Sequence, residues 1–210
     1  VNLGDMRTIV RCELHDEDSN NYRWTNDELD RHIARAVTEF SMALPYEQKV
    51  TKATSTGSRE IDISSVTNRV MVQAIEYPVG QFPGNFQRFA LWADTVTLLG
   101  PDVPDGSNAC IYYGKLHTLD VSASTIQVQH EDLVASGACG YAAVEWAVYA
   151  INRVNVGGIR NPEKLLSWGR ERLAGFRADL KSLGRKNRVR VNSLYRPYYP
   201  PVSSTTDYGP

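Results

Sequence analysis

The sequence predicts an α+β fold: a helical bundle, an inserted mainly antiparallel β-subdomain, and an extended C-terminal arm. Three observations carry this. Apolar residues recur every three or four positions near both ends, Thr, Val and Ile alternate between Gly- and Pro-marked turns in the middle, and the chain turns basic and then Tyr/Pro-rich after Gly184. The expected organisation is a discontinuous bundle from residues 1–47 and 127–184, the insertion at 48–126, and the arm at 185–210.

Leu3, Met6, Val10 and Leu14 are spaced for a short amphipathic helix, and the polar residues 15–22 read as a loop. Thr25 followed by Glu28 is a capping box, in which each residue satisfies an orphan N–H of the other. Leu29, Ile33, Ala36, Val37 and Phe40 then form one stripe, and Pro45 ends this second helix. Candidate strands follow at 50–55, 59–63, 70–77, 89–92, 95–99 and 109–116. The turn-rich stretch 78–84 interrupts the sheet, and Asp105-Gly106 suits a hairpin joining the last two strands.

Helical character returns at Glu131. Residues 131–152 hold no proline and many small side chains, including Gly137 and Gly140, each costing about 1 kcal/mol against alanine. Close approach of a neighbouring backbone is the expected compensation. Pro162 suits the first turn of a last helix. Along it Leu166, Leu173 and Leu180 recur every seven residues, interleaved with Gly169, Phe176 and Leu183, and Gly184 is placed as its C-terminal cap. Trp24, Trp92, Trp146 and Trp168 fall in or beside these elements, where core packing is expected, and Tyr112 and Tyr113 should face opposite sides of a strand.

Composition bounds function mainly by exclusion. A net charge of -1 hides an acidic start, with eight carboxylates against four arginines in residues 1–31, and a basic end, with twelve basic against three acidic residues in 151–196. Such a chain can attract copies of itself head to tail. Cys12, Cys110 and Cys139 have neither disulfide-framework nor metal-ligand spacing, which points to reduced thiols in an intracellular setting. Neither an 18-residue apolar run nor a signal-peptide pattern is seen, so no membrane is expected.

Catalytic motifs are missing. His15, His32, His117 and His130 form no H-x-x-x-H pair and no H-E-x-x-H motif; His130-Glu131-Asp132 reads as an acidic first helical turn complementing the dipole. Thr56-Gly57-Ser58 and Val156-Gly157-Gly158 lack a phosphate-loop pattern, and no G-x-S-x-G elbow occurs. The expectation is a non-enzyme with no metal and no cofactor.

The arm carries the binding chemistry. Arg188 and Arg190 alternate with Val189 and Val191, which suits an extended segment, and Leu194, Tyr195, Arg196, Tyr198 and Tyr199 follow among prolines. Tyrosine offers large contact area at low entropy cost. A groove on another subunit is the expected receptor; a nucleic-acid-binding module using these basic residues is the alternative.

The stretch Trp24-Thr25-Asn26-Asp27-Glu28-Leu29-Asp30-Arg31-His32-Ile33-Ala34-Arg35-Ala36, set after a small helix, resembles the opening of head-to-tail connector proteins of tailed bacteriophages. These are the adaptors beneath the portal. The order helices, β insertion, small-residue helix, last helix and arm is similar to theirs. The resemblance implies a ring, a dodecamer, in the virion, assembled in the host cytoplasm and continuing the DNA channel without sequence-specific binding. It implies as partners the portal protein, neighbouring copies, and a tail or head-completion protein. It places Arg188, Arg190, Leu194, Tyr195, Arg196, Tyr198 and Tyr199 in the docking arm, with tail-side contacts near Phe82 and Asp105.

Overall fold

The computed structural model describes residues 1–151 and 162–192, with side chains described as far as Arg188 in the last helix. It is α+β, in two units. The first comprises Val1–Tyr46 and Leu116–Arg185; the second comprises Glu47–Lys115 and, from Lys186, the end of the last helix.

In the first unit, α1 (Leu3–Leu14) starts at an Asn2/Asp5 capping box and ends at His15, which adopts the left-handed conformation. The Thr25/Glu28 box opens α2 (Asn26–Ala43): Thr25 Oγ1 accepts from the Glu28 N–H at 3.2 Å, and Glu28 Oε2 accepts from the Thr25 N–H at 2.7 Å. A short 3-10 turn (Val128–His130) leads into α3 (Glu131–Ile151), and α4 runs from Pro162 to Asn192. One core joins these helices, with Met6 and Val10 from α1, the α2 stripe, Val134 and Ala138 from α3, and Leu173, Phe176 and Leu180 from α4. The seven-residue repeat of α4 therefore marks the face it buries in the bundle.

The glycines of α3 are explained by close packing. A Cβ on Gly140 would fall 2.8 Å from Leu173 Cγ and 3.2 Å from the Gly169 carbonyl oxygen, and one on Gly169 would fall 3.1 Å from the Gly140 carbonyl oxygen. Gly137 faces the Phe176 ring in the same way, at 2.9 Å. The lost helix propensity is offset by the approach of two backbones and one aromatic ring.

The second unit holds seven strands: β1 (Tyr46–Ala53), β2 (Glu60–Asp62), β3 (Arg69–Glu76), β4 (Phe86–Gln87), β5 (Phe89–Trp92), β6 (Thr95–Leu98) and β7 (Asn108–Lys115). They form two sheets, β1-β7-β3-β4 and β2-β6-β5, sharing a core that includes Ile61, Ile63, Val96 and Leu98 on one side and Ile75 and Ile111 on the other.

Four expectations are corrected. First, Asp105-Gly106 does not join a hairpin, because β6 pairs with β2 and β5 while β7 pairs with β3. The tight hairpin is at Ala93-Asp94, where Trp92 pairs with Thr95. Second, the sheet ends at Lys115, and residues 116–126 belong to the helical unit: Ile126 lies in its core, Leu119 packs on it, and the Leu3 N–H donates to the Asp120 carbonyl at 2.8 Å. Third, Gly184 is not a cap. It stays helical with its Cα face toward Ala43, where a Cβ would lie 3.5 Å from the Ala43 carbonyl oxygen. Residues 185–192 continue α4, and their basic side chains favour the negative end of the helix dipole. The extended reading of Arg188 and Arg190 is thereby overturned. Fourth, Trp92 is 85% exposed, since it ends an edge strand with no neighbour to cover it. Tyr112 and Tyr113 are both half-buried.

Burial holds His32, His117 and His130 of the helical unit below the ordinary histidine range. The unfolded chain therefore binds more protons than the native one below about pH 6.5, and stability falls as the pH drops through that value toward the native pKa values. Urea midpoints followed by far-UV circular dichroism should decline from pH 7 to pH 5. A His117→Gln variant should show a shallower decline.

Candidate functional site

Of the arm residues, Arg188 is exposed on α4 and Arg190 lies on the same helix. Leu194, Tyr195, Arg196, Tyr198 and Tyr199 lie outside the described residues. Along α4, Arg185 and Arg188 are one turn apart, as are Lys186 and Arg190, so the basic residues form helical rows rather than one edge of a strand.

Phe82 is 88% exposed in the loop between β3 and β4, which contains cis Tyr77-Pro78 and cis Phe82-Pro83 bonds. Asp105 is a different case. Its Oδ1 accepts from the Tyr77 hydroxyl at 2.7 Å and from the Ser107 N–H at 2.8 Å, while its own N–H donates to the Tyr77 oxygen at 2.9 Å. Hydrogen bonds from Ser107 and Tyr77 bring its pKa down to about 2. Its carboxylate closes the β6–β7 loop onto β3, beside a cleft of about 200 Å³ that Asn85, Gln87 and Leu98 also line. Phe82 does not line that cleft. The two expected tail-side residues are thus not brought together there, and Asp105 has an internal task. Buried Glu76 does similar work, accepting from the Gly80 N–H at 3.0 Å and the Tyr112 hydroxyl at 2.9 Å.

The helical unit contains a larger feature that sequence reasoning missed. A groove of about 560 Å³ runs between α3 and α4. Leu133, Trp168 and Phe176 supply apolar surface; Asp132, Glu171 and Asp179 supply carboxylates. Its one basic residue, Arg172, is engaged: Nη1 lies 3.2 Å from Glu13 Oε2 and donates to Ser136 Oγ at 3.2 Å, and the guanidinium lies 5.1 Å from the Trp168 ring centroid. The groove therefore presents acidic and aromatic chemistry. Residues 168, 171, 175 and 179 share one helical face, a row readable in the sequence only as surface.

No family model matches this chain, and no curated protein matches it.

The site must be read from its own chemistry. Cys110 and Cys139 are buried free thiols, and burial raises the Cys139 pKa well above the cysteine range, so that thiol stays protonated. Glu131 and Asp132 occupy the first turn of α3, the position that complements its dipole. Among the described residues no cluster of His, Cys, Asp or Glu could hold a metal ion, and no helix is long and apolar enough to cross a membrane.

Proposed function

We propose that this chain is a structural virion protein, an adaptor that forms a ring beneath the portal, joins the phage head to the tail and continues the DNA channel. The observation that carries the proposal is the construction of α4. It anchors through Leu173, Phe176 and Leu180 in a bundle built from both ends of the chain, then runs on to Asn192, carrying a basic, tyrosine-rich C-terminal segment away from that anchor. The resemblance at Trp24–Ala36 gives the partner class: a portal protein, neighbouring copies in a ring of twelve, and a tail or head-completion protein. In this reading the protein has no catalytic role, takes no cofactor, and passes DNA without sequence-specific contacts. It is located in the virion, after assembly in the host cytoplasm.

A chain ending at Asn192 tests this, since it keeps the whole of α4. The truncated protein should retain the helical signal and thermal midpoint of the full chain, yet fail to form rings or to decorate purified portals in electron micrographs. Normal decoration by the truncated chain defeats the docking assignment. Salt-sensitive binding of the full chain to DNA, with no ring and no portal binding, would favour the nucleic-acid module instead, for which the basic rows at 185–190 supply the charge.

A further inference from the structure

Three of the four glycines that face outward or across between α3 and α4 have an internal explanation; one does not. Gly137, Gly140 and Gly169 are required by atoms lying 2.8–3.2 Å from where a Cβ would be. At Gly175 a Cβ would meet nothing within 4 Å. Glycine in a helix interior is unfavourable by about 1 kcal/mol against alanine, and here no contact within the unit accounts for it. Gly175 lines the groove between α3 and α4, beside Trp168, Glu171 and Asp179. A bare backbone on the wall of an acidic, aromatic groove is the arrangement that admits another chain at close range.

We propose that this groove receives the tyrosine- and proline-rich segment 193–201 of a second copy of the chain. The segment reads Ser193-Leu194-Tyr195-Arg196-Pro197-Tyr198-Tyr199-Pro200-Pro201. Its arginine matches the groove carboxylates, its tyrosine hydroxyls can donate to Glu171 and Asp179, and proline-rich segments favour aromatic-lined grooves of the kind Trp168 and Phe176 make. The donor is a second copy because chain length excludes the first. Along α4, Glu171 is about 32 Å and Trp168 about 36 Å from Asn192. Fully extended chain from Asn192 reaches about 14 Å at Arg196 and about 25 Å at Tyr199. A chain's own segment falls short of its own groove.

The proposal rests on the ring-forming half of the adaptor reading and specifies which surface one copy offers the next. It is tested on the full-length chain alone, so it can fail while portal binding stands, or stand while portal binding fails. The assay is sedimentation velocity over a concentration and salt series. The wild-type chain should associate, less so as salt rises. Glu171→Gln combined with Asp179→Asn should weaken association about tenfold and flatten its salt dependence. Arg196→Glu should weaken it similarly, and adding Glu171→Lys to Arg196→Glu should recover part of the loss. Gly175→Ala is the most discriminating variant: it should raise the thermal midpoint, as alanine does in an exposed helix, while weakening association. A photo-crosslinker at position 198, in a mixture of isotopically light and heavy chains, should join α3 or α4 of one chain to the tail of another. Wild-type chain that stays monomeric, groove variants that associate like wild type, a Gly175→Ala variant with undiminished association, or crosslinks confined to single chains would each overturn the proposal.

Discussion

Asp16→Ala is expected to destabilise the helical unit by about 3–5 kcal/mol, the usual cost of removing one partner from a buried ion pair. Asp16 and Arg11 are both nearly inaccessible, and Arg11 Nη1 donates to Asp16 Oδ2 at 2.6 Å. The same guanidinium donates to the Trp24 carbonyl at 2.9 Å and Asn26 Oδ1 at 3.0 Å, and it lies 3.6 Å above the Tyr22 ring. Asp16 also accepts from the Arg23 N–H at 2.6 Å, with the Trp24 N–H at 3.4 Å. One carboxylate thus sets the path of the loop that delivers Trp24 to the core, where its indole N–H donates to the Ala142 carbonyl at 3.3 Å. Without Asp16 a buried cation and a backbone N–H lose their acceptor together. Urea unfolding followed at 222 nm measures the loss. The double variant Arg11→Met with Asp16→Leu should be less destabilised than Asp16→Ala alone, because no uncompensated charge remains. If the single change cost under about 1 kcal/mol, this node would be ornamental rather than structural.

Phe176→Ala should cost a similar amount, about 3–5 kcal/mol, through lost burial and the cavity left behind. The ring is 1% exposed and fills the space that Gly137 leaves open. The two positions are therefore coupled, and the coupling has a sign. In the wild-type chain Gly137→Ala drives a Cβ to within 2.9 Å of the ring and should destabilise despite its better helix propensity. In the Phe176→Ala background the same change meets a void and should be neutral or stabilising. A double-mutant cycle by urea denaturation reads this directly, and additive effects would mean that ring and glycine are not in register.

The elements themselves were legible in the residues. The Thr25/Glu28 capping box, the apolar spacing of Leu3–Leu14 and the alternation at Arg69–Glu76 are local signals, and α2, α1 and β3 stand where those signals place them. The candidate site was legible only in part. The same residues, Arg185 to Val191, satisfy a basic helix C-terminus and an alternating strand equally well, and only the packing of Gly184 against Ala43 distinguishes a continuing helix from a capped one. Gly169 and Gly175 are likewise indistinguishable as letters; one is pressed against the Gly140 carbonyl and the other faces open space.

By itself, then, the sequence determined the α+β class, the order of helices and strands, and the need for close backbone packing at Gly137 and Gly140. These follow from periodicity, caps and propensity, which act over a few residues. The tertiary structure alone decided that β6 pairs with β2 and β5 rather than with β7, that residues 116–126 join the helical unit, that α4 passes Gly184, and that Trp92 is exposed while Trp24 is buried. Each of these depends on which distant surface competes most strongly for a given side chain or strand edge. Such competition is settled by contacts across the fold, and no short window of sequence contains both competitors.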